Sequence, residues 1–135
     1  MNSRNGVITV RSVHNYPETC QRLDLLIRTR GMTMFADLDF QEEARSHRLT
    51  MSPERLFVFG NPSSGTPLMQ EVAQSGLDLP LKVLVHQDGS GSVWLSYNSP
   101  RYLIDRHTLP QRFLRNIAGI EELVERAAGP STLLG

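Results

Sequence analysis

The stretch Phe57-Val58-Phe59-Gly60-Asn61-Pro62-Ser63-Ser64-Gly65-Thr66-Pro67-Leu68-Met69 concentrates residue types that hold small ligands. An apolar strand delivers the chain into a glycine-containing loop, and the loop opens a helix. Free N–H groups at a helix start, aided by the helix dipole, favour an anion or a carbonyl. Gly60 and Gly65 let the backbone approach a ligand closely, while Asn61, Ser63, Ser64 and Thr66 add polar side chains. No Gly-Lys-Ser/Thr follows and two prolines remove donors, so this is neither a nucleotide P-loop nor a dinucleotide fingerprint. The competing reading is a capped loop in which Asn61 and Thr66 satisfy their own backbone.

Other candidates are more scattered. Asp37 and Asp39 are two residues apart and, with Phe35, share a strand face, a spacing that suits metal ligation or an acid–base pair. A strand end turning polar accounts for them equally, with Asp39 capping the next helix. Lys82, Leu84 and His86 share a face opposite Val83 and Val85, where Lys82 offers a charge to an anionic ligand and His86 a proton carrier. Trp94 and Tyr97 fall on opposite faces of one strand, so one packs inward and the other lines a surface or subunit contact. Cys20 reads as a packing residue. The four histidines are too dispersed for a zinc site, and no Gly-x-Ser-x-Gly elbow occurs. We therefore assign no catalytic residue, no metal ligand and no cofactor. The ligand-binding candidates are Asn61, Ser63, Ser64, Gly65 and Thr66, joined by Asp39, Lys82 and Tyr97 if the sheet brings them near.

The elements that must position these residues fit one domain of 135 residues. Fourteen basic residues balance fourteen acidic ones, which argues against a broad footprint for nucleic acid or anionic membrane. Thirteen of the basic residues are arginine and Lys82 is the one lysine, a composition bias with no clustering behind it. No apolar run is long enough to cross a membrane, no signal-peptide pattern opens the chain, and a lone cysteine suits a reducing compartment. The expected location is cytoplasmic.

Residues 6–11 have the β-branched content of a strand, and Asn15 and Glu18 form a capping box that opens a helix ended by Gly31. Residues 32–39 alternate as a second strand, with Met32, Met34, Ala36 and Leu38 pointing one way. Residues 41–47 suit a short surface helix. Residues 56–59 form a continuous apolar run, the signature of an interior strand covered on both faces. Thr66 and Pro67 fit the cap and first position of the next helix. Residues 81–86 and 92–97 are strands joined by an Asp88-Gly89 hairpin. Ser99-Pro100 opens a short helix, and Pro110 opens a last helix over 110–128 before a flexible tail over 129–135. The order β-α-β-α-β-α-β-β-α-α predicts an α+β two-layer sandwich. Its sheet is mixed, mostly antiparallel and of about five strands, with a core over 6–107.

In their order, Gly6-Val7, Glu18-Thr19, Gly31-Met32, Phe59-Gly60-Asn61-Pro62, Gly65-Thr66-Pro67-Leu68-Met69, Leu77-Asp78-Leu79-Pro80-Leu81-Lys82 and Ser96-Tyr97 resemble the domain-of-unknown-function 302 family over roughly 6–106. The resemblance implies a compact α+β domain, often homodimeric, with no established reaction, substrate or cofactor. It adds Asp78 to the motif positions of interest. The expected function is a homodimeric binding module for a small polar or anionic metabolite at the 60–66 loop. The alternatives are a structural or protein-interaction domain without a ligand, and an enzyme using Asp37 or Asp39 as acid or base.

Overall fold

The computed structural model describes residues 5–130. The loose start and most of the flexible tail expected from the sequence lie outside those residues. Five strands, β1 (Val7–Arg11), β2 (Thr33–Asp39), β3 (Glu54–Gly60), β4 (Leu81–Gln87) and β5 (Val93–Asn98), form one sheet in the order β1-β5-β4-β3-β2. Every pairing is antiparallel, so the parallel component allowed by the sequence is absent. Around the strands run α1 (Tyr16–Thr29), α2 (Phe40–Ser46), α3 (Pro62–Glu71), α4 (Pro100–Arg106), α5 (Leu114–Ile117) and α6 (Gly119–Ala128).

Local chemistry sets most boundaries. Asn15 Oδ1 accepts from the Glu18 N–H at 2.9 Å to cap α1, and Gly31, at φ +74°, ends it in the left-handed region. Asp39 Oδ1 caps α2 through the Glu42 N–H at 3.0 Å, and Ser99 caps α4. In the β4–β5 hairpin the Asp88 carboxylate accepts from Ser90 and Ser92 N–H groups and from Trp94 Nε1 at 2.9 Å. These bonds, the one from Trp94 foremost, hold its acid group down at about 2.

One face of the sheet carries the core. Leu23 and Ile27 of α1 and Leu123 and Val124 of α6 pack on Phe57, Phe59, Val83, Val85 and Leu95, all essentially inaccessible. Each such side chain contributes roughly 1.5–3 kcal/mol of burial. A second cluster of Leu68, Leu103, Ile104, Leu109 and Ile117 lies among α3, α4 and α5, and Leu81 touches both. The helix expected over 110–128 is therefore broken: a 3-10 turn (Gln111–Phe113) and α5 place Ile117 in the second cluster, and α6 places Ile120 in the first. One straight rod could not serve two cores.

Three further expectations are corrected. The run 56–59 is interior in strand order but covered on one face only: Phe57 and Phe59 are buried, while Leu56 and Val58 belong to neither core. In β2 a bulge between Met34 and Ala36 shifts the register, so Met32 and Met34 face the core but Ala36 and Leu38 pair with Val58 and Leu56 on the open face. Helix α3 begins at Pro62 under an Asn61 cap, five residues before the Thr66–Pro67 start read from the sequence, and Pro67 sits inside it.

Candidate functional site

A hollow of about 220 Å³ opens where the end of β3 turns into α3. Asn61, Ser64, Gly65 and Thr66 form one wall. Phe35, Met69, Leu79, Pro80 and Ile117 supply an apolar floor and sides. Phe35 reaches the site because it is the residue displaced by the β2 bulge. The cis Leu79–Pro80 peptide carries the chain past the mouth into β4. Gly65 faces open space, since a Cβ built there meets nothing within 4 Å.

A neighbouring hollow of about 230 Å³ shares Asn61, Ser64 and Asn116 with the first and reaches Arg30 and Gly119. The common wall is held by Asn116 Nδ2 donating to the Ser64 carbonyl at 3.0 Å. Arg30 is engaged by Glu122 at 2.6 Å, so its charge is largely answered before any ligand arrives.

At the helix start expected to hold an anion, the backbone donors are engaged within the turn itself. Pro62 has no N–H, the Ser63 N–H is taken by Asn61 Oδ1 at 3.0 Å, and those of Ser64 and Gly65 by the Asn61 carbonyl at 2.9 and 3.0 Å. Asn61 thus consumes the donors that a phosphate or halide would need. Its amide nitrogen and the Ser64 and Thr66 hydroxyls make no hydrogen bond among the described residues and remain able to pair with a ligand.

The other sequence candidates lie elsewhere. Ser63 donates its hydroxyl to Asn61 Oδ1 at 2.7 Å and steadies the turn without lining the hollow. Asp39 caps α2, at the far end of β2. Lys82 is half-buried on the open sheet face, donates to the Pro80 carbonyl at 3.0 Å, and has its pKa lowered by burial against the opposing pull of Asp78. Tyr97 points into the core, where burial, then the charges of Glu121 and Glu125, push its hydroxyl up to about 12. Asp37 is clamped by Arg55 through bonds of 2.6 and 3.0 Å. This pair borders a third, polar hollow of about 510 Å³ beside Tyr16 and Cys20. Burial pushes the Cys20 thiol up to about 11, so it is a neutral packing group at physiological pH. Lys82 and the α3 turn thus lie apart from Asp37 and Asp39, which share a hollow of about 260 Å³ with Glu42, Glu43 and Ser46 of α2, Asp37 held by Arg55 and Asp39 capping α2.

Phe35 and Asn116 are the lining residues the sequence did not single out. Their only signal is tertiary: Asn116 lies 52 residues from Ser64, its hydrogen-bond partner. His107, set aside as dispersed, meets Asp78 at 2.5 Å, with Arg106 on the same carboxylate at 3.0 Å. Asp78 thus ties the 3-10 turn Ala73–Asp78 to the end of α4, and its motif position is explained by structure.

Comparison with known proteins follows the same lines. A crystal structure of an uncharacterized conserved DUF302 protein from Bacillus stearothermophilus superposes with a TM-score of 0.74 over 91% of this chain and 95% of that one, at 20% identity, and shares its fold. Fluoride-specific ion channel FluC 1 of Brucella suis is 42% identical over 105 residues, 78% of this chain and 41% of that protein. FluC 2 of Brucella melitensis matches at the same identity over 39% of its length. The chain thus spans about two fifths of these relatives. The sequence profile of the domain of unknown function DUF302 matches residues 8–127, and the chain belongs to that family.

Proposed function

We propose that the chain is a binding module for a small ligand with an apolar body and one hydrogen-bonding end, held against the first turn of α3, and that it works as a pair of copies. Gly65 carries this reading. A glycine inside a helix costs about 1 kcal/mol relative to alanine, and here no neighbour within 4 Å requires it. Space for a ligand against the helix backbone is the reason that remains. The walls set the chemistry: apolar side chains around Asn61, Ser64 and Thr66, with no free cation. An apolar cavity of about 150 Å³ accommodates benzene, so this hollow suits a ligand somewhat larger than that.

The test is a thermal-shift and calorimetry screen of small alcohols, amides and carboxylic acids against wild type, Gly65→Ala and Gly65→Leu. Gly65→Ala should raise stability by about 0.5–1 kcal/mol, and Gly65→Leu should abolish binding of any hit. Hits that bind Gly65→Leu as well as wild type, or no hit at all, would overturn the reading.

A second reading comes from the Brucella relatives. No helix among the described residues is long and apolar enough to cross a membrane. In a channel of which this domain matches two fifths, the membrane-crossing part would therefore lie in the remainder. On this reading the domain serves such a channel from outside the bilayer, and fluoride is not its own ligand, since the α3 donors are already spent. Affinity capture of the detergent-solubilised channel by this domain checks it, and failure of the two to associate would sink it.

A further inference from the structure

Helices α1 and α6 cover one face of the sheet, and the side chains of the other face belong to neither core cluster and are partly exposed. Three rows of side chains cross it. The outer row runs Arg11, Trp94, His86, Glu54; the middle row Thr9, Ser96, Leu84, Leu56, Leu38; the inner row includes Lys82, Val58 and Ala36. The middle row is polar on the β1 side, where Ser96 Oγ is hydrogen-bonded to Thr9 Oγ1 at 2.8 Å and to His86 Nε2 at 2.9 Å. It is purely aliphatic from β4 to β2, and Leu38 at its end is 44% exposed.

Glu54 and Lys82 stand on this face with no ion-pair partner among the described residues. Lys82 is four residues from His86, the register partner of Glu54, so about 14 Å of strand separates the two charges. They cannot meet within one chain. We infer that the open face is the surface on which two copies pair, stacked sheet to sheet about a two-fold axis lying along the Leu84–Leu56–Leu38 row.

This inference rests on the pairing proposed above and names its surface. The axis sets each leucine against its own equivalent and lays the outer row of one copy over the inner row of the other. Glu54 then comes beside the partner's Lys82, once on each side of the axis. Stacked sheets sit about 10 Å apart, a gap that leucines from both sides fill. The spare N–H groups of Lys82, beyond the one given to Pro80, are available to the incoming carboxylate.

Sedimentation velocity with the wild type, Leu84→Glu, Glu54→Lys, Lys82→Glu and the swapped double variant Glu54→Lys/Lys82→Glu decides it. The wild type should be a dimer, and Leu84→Glu a monomer with unchanged circular dichroism, because the site is solvent-facing in a single copy. Each single charge reversal should weaken the dimer about tenfold or more, and the swap should restore it. A wild-type monomer would remove the pairing itself. A dimer indifferent to Leu84→Glu and to both reversals would leave pairing intact and move it to another surface.

Discussion

Replacing Asp78 with alanine is expected to cost about 2–4 kcal/mol of folding stability, among the largest effects of any polar substitution in this chain. The carboxylate is only 15% exposed and holds His107, itself 6% exposed, together with Arg106. Its removal strands a buried imidazole and frees the 3-10 turn Ala73–Asp78 from α4. That turn leads into Leu79 and Pro80, which wall the ligand hollow. Urea unfolding monitored by circular dichroism measures the loss. Asp78→Asn, which keeps a hydrogen-bond acceptor but not the charge, should recover part of it. A loss below about 1 kcal/mol for Asp78→Ala would show that the clamp is a surface ion pair of ordinary weakness.

The second large effect is expected at Gly6. It sits just before β1 at φ +80°, and a Cβ there would fall within the Tyr102 ring. Gly6→Ala therefore combines a left-handed backbone penalty of about 1 kcal/mol with a steric clash, for a total of about 2–4 kcal/mol. The two parts are separable. In the Tyr102→Ala background the clash is gone and the glycine substitution should cost only the backbone part. Equal costs in both backgrounds would place the whole effect in the backbone.

Where a residue's own short-range chemistry decides its structure, the sequence is easily read. Asn15, Asp39 and Ser99 cap the helices expected of them, and Asp88-Gly89 makes the hairpin. The misreadings share a cause in tertiary context. The alternation of β2 looked regular because a bulge leaves no mark on hydrophobicity, yet it turns Ala36 and Leu38 away from the core and frees Phe35 for the hollow. The start of α3 is ambiguous in the sequence because Thr66-Pro67 and Asn61-Pro62 are both competent starts, and Asn61 takes the role. Leu56 and Val58 look as buried as Phe57, but which face of a sheet receives helices is decided by where α1 and α6 dock. Half of the candidate site was legible, the half contributed by one continuous segment. The rest, Phe35 and Asn116, is assembled from chain segments far apart.

The position of Trp94 has a practical consequence. It is the one tryptophan in the chain, and it lies on the open face between Arg11, whose guanidinium is 5.9 Å from its ring centre, and His86. Its emission colour thus reports the wetness of this face alone, silent to the helical side, where Tyr97 lies in the core. The protein carries an intrinsic optical gauge of that surface, readable without label at any dilution.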